Sequence, residues 1–156
     1  MFRRIMVPLD GSDLAECVIS YVEDFIVQGQ VEFIVFVRVV KPVIPPAGFD
    51  ESITYLPEDW SKWESEKKTS AEDYLKKVVS RLKQNGVKFQ TEVLVGIIGD
   101  SLLDYIKAND FNLIVISTHG RSGLSRWVRG SVADKILSAS PIPVLMVRAP
   151  GSIGES

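Results

Sequence analysis

The sequence predicts an α/β protein: a three-layer α/β/α sandwich in which helices cover both faces of a five-stranded parallel sheet. Short runs of β-branched and aromatic residues alternate with amphipathic stretches, a pattern typical of β-α-β units. The run "VEFIVFVRVV" (31–40) is almost continuously apolar, as in a strand that is buried on both faces. The crossovers of β-α-β units are right-handed, which restricts how the helices cover the sheet.

The first strand, about five residues long, is predicted within "RRIMVPLD" (3–10). Pro8 has no amide hydrogen, so strand pairing should stop there. A helix is expected to begin near Leu14, with Asp13 and Glu16 as its capping box. Cys17 on its apolar face is expected to pack as a small hydrophobe. That face is marked by three- and four-residue steps: Leu14, Cys17, Val18, Tyr21, Val22, Phe25 and Ile26.

The middle of the chain predicts a long loop and a long helix. Residues 41–58 contain four prolines and show no clear period, so they are expected to form a loop. A helix should follow from about Asp59 to Asn85, and Gly86 is expected to end it because glycine adopts the left-handed conformation easily. Trp60 and Trp63 are expected to cover the core beside the loop.

The remaining elements follow in the same alternation. They are a third strand (87–95), a turn "GIIGD" (96–100), a helix (101–110), a fourth strand (112–118), a helix from Ser131 and a fifth strand (142–149). Residues 1–150 are predicted to form a single domain, followed by a frayed tail (151–156).

Composition limits the function classes. The 156 residues carry a net charge of −2, which argues against a general nucleic-acid binder. No apolar run has the length of a signal peptide core or a transmembrane helix, so we expect no membrane partner and a soluble, cytoplasmic protein. The single cysteine and the single histidine, His119, exclude an internal disulfide and a multi-histidine metal site. No residue pattern indicates a catalytic group or a resident metal.

Ligands of doubly wound sheets bind beyond the carboxyl ends of the strands, so the loops at that edge are the candidates. In "STHGRSGLSRWVRGSVADKIL" (117–137), glycines and arginines precede a helix whose N-terminus favours an anion. The alternative is that Ser131 is only a helix cap paired with Asp134. Asp10, after the first strand, either accepts hydrogen bonds from ribose hydroxyls or bonds its own backbone in a turn. The P-loop and the GxGxxG fingerprint are both absent.

With these loops identified, the chain resembles the universal stress protein family along nearly its whole length. The resemblance rests on "VPLDGSDLAE", on "FVRVV", and on "STHGRSGLSRWVRGSVADKIL" followed by "SPIPVLMVR". The nucleotide-binding subgroup carries glycine, two residues, glycine, nine residues, then glycine and Ser or Thr. Gly120 and Gly130-Ser131 fit this spacing. Ser117 stands where the first glycine belongs, and its side chain would either crowd the phosphates or donate a hydrogen bond to them.

The resemblance implies a strand order of 3-2-1-4-5 and a regulatory protein that binds ATP or AMP, with Mg²⁺ possible when ATP is bound and with weak or no hydrolysis. It places Asp10 near the ribose and the Val39 backbone at adenine. The implied nucleotide-binding residues are Pro8, Leu9, Asp10, Val39, Ile116, Ser117, Gly120, Arg121, Gly130, Ser131 and Val132.

The family commonly dimerises through its fifth strands, which implies a homodimer formed through residues 142–148. An apolar edge strand of this kind has a physical reason to pair. The alternative function is an interaction module of the same family that binds no nucleotide. An ATP-dependent activating enzyme is a third possibility, but it would need a glycine-rich loop where this chain has "LDGSD".

Overall fold

The computed structural model describes residues 2–29, 31–43, 57–118 and 131–149. Five parallel strands form one sheet in the order β3-β2-β1-β4-β5, so the predicted fold class and strand order are confirmed. The strands are β1 (Arg4–Pro8), β2 (Phe33–Val40), β3 (Lys88–Val95), β4 (Leu113–Ser117) and β5 (Val144–Val147).

Helices cover both faces of this sheet. They are α1 (Ile19–Val27), α2 (Pro57–Ser80), α3 (Ile98–Ala108) and α4 (Ser131–Ala139), and a 3₁₀ turn (Ala15–Val18) precedes α1. No helix within the described ranges is long and apolar enough to cross a membrane.

Two apolar layers hold the sandwich together, because successive strand residues point to opposite faces. Ile5, Phe36 and Leu75 belong to the layer under α1 and α2, which we call the first core. Met6 and Val35 belong to the second core, under α3 and α4. Cys17 is half-buried against the first core, as predicted.

The start of the first helical segment differs from the prediction. It opens with the 3₁₀ turn at Ala15, and the hydroxyl of Ser12 accepts a hydrogen bond from the amide of Ala15 (3.2 Å). The Glu16 carboxylate instead accepts a hydrogen bond from Arg81 of the segment after α2 (2.7 Å). The predicted capping box of Asp13 and Glu16 is therefore wrong: the serine one position earlier caps the turn, and the glutamate links two segments.

The end of α2 also differs from the prediction, which placed it at about Asn85. The helix ends at Ser80, and the Val87 amide donates to the Gln84 carbonyl (2.7 Å) across a tight turn. Asn85 and Gly86 both have positive φ, 42° and 84°, which is the conformation of a type I′ turn. Gly86 adopts the expected left-handed conformation, but it turns the chain into β3 instead of ending the helix.

Three smaller predictions were inaccurate. α3 begins at Ile98, so most of the predicted turn is helical, and β5 is shorter than residues 142–149. Trp63 is 44% exposed and packs edge-on against Trp60 with a centroid distance of 5.2 Å, so it does not cover the core.

Candidate functional site

The carboxyl ends of β1 and β4 mark the point where the sheet reverses direction. β1 pairs with β2 on one side and with β4 on the other, and the crossovers on the two sides lie on opposite faces. Pro8 is the last residue of β1, and the amide of the buried Leu9 continues the pairing by donating to the Val37 carbonyl (2.9 Å). The chain leaves the sheet immediately before Asp10, at the position where doubly wound sheets bind ligands.

Asp10 forms a turn with its own chain. Its Oδ1 accepts hydrogen bonds from the Ser12 amide (2.9 Å) and the Ser12 hydroxyl (2.6 Å). The turn role that the sequence allowed is therefore present. A carboxylate has two oxygens, so this role fixes the orientation of Asp10 without deciding against a ribose contact.

Gly11, the next residue, lies against the guanidinium of Arg38 from β2. A Cβ built on Gly11 would be 3.0 Å from Cζ, 3.0 Å from Nη2 and 3.1 Å from Nη1 of Arg38. Nearly equal distances to these three atoms place Gly11 over the flat face of the guanidinium. Gly11 also has a φ of 86°, a conformation that favours glycine, and a larger residue would in addition displace the guanidinium.

The same guanidinium lies over the ring of Tyr74 from α2, with Cζ 5.1 Å from the ring centroid. Burial, the nearby Glu16 carboxylate and then Asp10 raise the pKa of Tyr74, whereas Arg38 lowers it. The hydroxyl therefore stays protonated at neutral pH. Arg38 is a residue that the sequence reasoning missed, although its charge interrupts the apolar run of β2.

A groove of about 670 Å³ lies beside Arg38. Gly11 and Arg38 line one side, and a polar stripe of α2 that includes Thr69, Asp73 and Lys77 lines the other. These three polar side chains recur every four residues, a helical spacing by which the sequence could have indicated this surface.

Val39 precedes the last residue of β2, and its side chain packs against the second core, on the opposite face from Arg38. Ile116 is buried in that same core. Pro8, Leu9, Val39 and Ile116, which the resemblance implies as nucleotide-binding residues, lie near the carboxyl ends of three neighbouring strands.

Ser117 is the last residue of β4 and is only 8% exposed. Its hydroxyl donates to the Leu14 carbonyl (3.4 Å), so the side chain points to the turn that follows β1. The Thr118 amide continues the sheet by donating to the Val147 carbonyl (2.9 Å). The residue that departs from the family spacing thus connects the end of β4 to the segment containing Asp10.

On the phosphate side the structure describes only part of the predicted site. α4 begins at Ser131, as predicted, and Val132 packs against the second core. Gly120, Arg121 and Gly130 lie outside the described residues, as do the remaining glycines and arginines of the loop, His119 and Trp127. In the described part of the chain, no three Asp, Glu, His or Cys side chains are grouped as metal ligands.

The fold and this edge define a small doubly wound α/β protein whose candidate ligand site lies where the strand order reverses. The model of the universal stress protein family matches residues 1–148. The chain belongs to this family, and the resemblance drawn from its motifs is confirmed.

Individual relatives agree with this assignment. The universal stress protein MJ0531 of Methanocaldococcus jannaschii is 30% identical, over 96% of this chain and 84% of its own length. The solved structure of MJ0577 from the same organism has a TM-score of 0.78 at 22% identity and covers 95% of this chain and 96% of its own. A universal stress protein family member from Arabidopsis thaliana, solved with AMP bound, has a TM-score of 0.66 at 16% identity, covering 99% and 96%.

Proposed function

We propose that this protein binds an adenine nucleotide, ATP or AMP, at the carboxyl ends of β1 and β4. The observation that carries the proposal is the Asp10 turn, which lies where the sheet reverses direction and is connected to the end of β4 through Ser117 and Leu14. Family membership and the AMP-bound structure of the Arabidopsis relative support the choice of an adenine nucleotide.

Each end of the nucleotide has its own set of residues in this proposal. Asp10 accepts hydrogen bonds from the ribose hydroxyls, and the Val39 backbone contacts adenine. Pro8, Leu9, Ile116 and Ser117 form the floor.

The phosphates rest on the N-terminus of α4, where unpaired amides and the helix dipole favour negative charge. Ser131 and Val132 supply the first two residues of that helix. Gly120, Arg121 and Gly130 complete the phosphate site in the proposal. ATP would bring its own Mg²⁺, and the protein has a regulatory role with weak or no hydrolysis.

We further propose that the protein works in the cytoplasm as a homodimer formed through β5. β5 is an edge strand of the sheet. Its Leu145 packs against the first core and its Met146 against the second, and both side chains are only partly buried in the single chain. A strand that is apolar on both faces and lies at the edge of a sheet favours pairing with a second copy.

The first experiment measures nucleotide affinity by calorimetry for the wild type and for Asp10→Asn. Asparagine keeps an oxygen that can accept from Ser12, so the turn should survive, but the charge is lost. We expect ATP and AMP to bind the variant about tenfold more weakly, since hydrogen bonds to charged groups contribute about 1.5–3 kcal/mol.

Asp13→Asn is the matched control, because Asp13 is an exposed carboxylate in the same segment. It should bind like the wild type. Absence of binding by the wild type at millimolar ATP and AMP would reject the proposal and favour the interaction module, whose dimer would still be detected by light scattering.

A further inference from the structure

Arg38 occupies a strand position where an apolar side chain is expected. Its neighbours on the same face of β2, Phe36 and Val40, are buried in the first core. A guanidinium at such a position is costly to desolvate unless its surroundings compensate. Here the guanidinium, which is only partly buried, contacts the Gly11 backbone and lies 5.1 Å from the centroid of the Tyr74 ring.

This arrangement acts directly on the segment that carries Asp10. Gly11 follows Asp10 directly and has a left-handed conformation. Because Gly11 packs against the guanidinium of Arg38, that group limits where the turn can lie. The Ser12 hydrogen bonds fix Asp10 relative to its own turn. The Leu9 and Ser117 hydrogen bonds attach the two ends of this segment to the sheet, and Arg38 of β2 adds a contact at Gly11, inside the turn.

Charge supports the same picture. Asp10 raises the pKa of the Tyr74 hydroxyl and Arg38 lowers it, which agrees with the contact between Arg38 and the Tyr74 ring. Arginine is suited to this position because its planar group stacks on a ring and on a peptide plane, whereas a lysine ammonium is a point charge.

We infer that Arg38 is a positioning residue for ribose recognition: by contacting both Gly11 and Tyr74 it holds the Asp10 turn where the carboxylate meets the ribose hydroxyls. The inference rests on the proposed nucleotide function and adds a residue that acts through Asp10 without touching the ligand.

The test compares the affinities for ATP and for 2′,3′-dideoxy-ATP, which lacks both ribose hydroxyls. The wild type should prefer ATP about tenfold, as expected for hydrogen bonds to a charged group. Arg38→Met keeps the length of the side chain but has no planar cation, and the preference should fall to roughly twofold, because small displacements of a binding group have large effects. In the Asp10→Asn background, Arg38→Met should cause no further loss of preference, since the two residues act as one unit.

Two further variants separate positioning from general stability. Arg81→Met removes an arginine that pairs with Glu16, and it should keep the wild-type preference. If Arg38→Met does not fold, Arg38→Lys takes its place, and it should also lose most of the preference because the planar face is missing.

The outcomes distinguish the two proposals. A wild type that binds neither nucleotide overturns the nucleotide function and, with it, this inference. A wild type that binds ATP preferentially, together with an Arg38 variant of unchanged preference, overturns the inference alone.

Discussion

Two arginines, one near the amino ends of the strands and one near their carboxyl ends, both contact aromatic rings through their guanidinium groups. The two contacts have different consequences. Arg4, at the amino end of β1, has its Cζ 4.8 Å from the Phe33 ring centroid and 5.2 Å from that of Phe111. Arg38, near the carboxyl end of β2, has one ring, Tyr74, and the backbone of a loop residue. The difference lies in the second group that each guanidinium contacts: an aromatic ring for Arg4 and a loop backbone for Arg38.

At the amino ends of the strands, the partly buried Arg4 lies against two aromatic side chains of the second core. Tyr105 packs in turn on Phe111 with a centroid distance of 5.6 Å, and its pKa is raised by burial and by Glu92 and lowered by Arg4. At the carboxyl edge, the guanidinium instead contacts the segment that leads into the candidate site. The comparison indicates that Arg4 serves packing, whereas Arg38 sets the position of a loop.

The largest expected effect on stability comes from placing a side chain at Gly11, in the space that the Arg38 guanidinium occupies. Gly11→Ala adds a Cβ that would be 3.0 Å from the guanidinium, in a conformation with φ of 86°. We expect the free energy of unfolding to fall by about 1–2 kcal/mol from the backbone conformation and by about 1–3 kcal/mol more from overpacking. Denaturant unfolding measures the total loss.

Gly86→Ala is a close control, because Gly86 has nearly the same φ (84°) and nothing lies within 4 Å of its added Cβ. Its loss should be confined to the backbone part. Equal losses for the two variants would show that Arg38 moves aside without cost, and the proposed stacking would then be too weak to position the turn.

A second, smaller effect concerns the other connection to the same segment, from Ser117 to Leu14. Ser117→Ala removes only the hydroxyl and should lower the free energy of unfolding by about 0.5–1.5 kcal/mol. Ser117→Gly should add a further loss of about 0.5–1 kcal/mol, the usual cost of glycine within a strand. Thermal or denaturant unfolding of both variants separates the two contributions.

Nucleotide affinity should respond differently. Ser117→Gly restores the residue that the family spacing has at this position, and we expect ATP affinity to be kept or increased. A large loss of affinity in both variants would mean that the hydroxyl is itself a ligand of the nucleotide.

The sequence was sufficient for the fold because each strand and most helices carry their own periodic signal. The apolar run of β2 and the amphipathic face of α1 are local patterns, and their alternation determines the layers. Boundaries were less predictable where two local signals compete. Leu82 continues the apolar pattern of α2. The helix nevertheless ends at Ser80, before the turn at Asn85-Gly86 that leads into β3.

For the candidate site, the sequence predicted which positions of the chain contribute residues, but not how those residues contact one another. Asp10 and Ser131 follow from strand ends and helix starts, and the family spacing supplies the rest. The role of Arg38 could not be derived in this way, because its neighbours Gly11 and Tyr74 are far from it in sequence and meet it only when α2 packs on the sheet. The sequence shows a lone charge inside an apolar run, but it does not show what that charge contacts.

The smallest effect on stability is expected for a substitution of Arg4. This variant tests the comparison between Arg4 and Arg38 most directly. Its Nε is buried without a hydrogen-bond partner in the described part of the structure, an arrangement that costs about 1–3 kcal/mol. Arg4→Met would remove that donor and also two cation–π contacts of about 0.5–1 kcal/mol each, so the contributions largely cancel. We expect the free energy of unfolding to change by less than about 1 kcal/mol, and the ATP preference over 2′,3′-dideoxy-ATP to stay at the wild-type value. If Arg4→Met reduced that preference as strongly as Arg38→Met, the two edges of the sheet would be coupled, and the loop contact of Arg38 would no longer explain its effect.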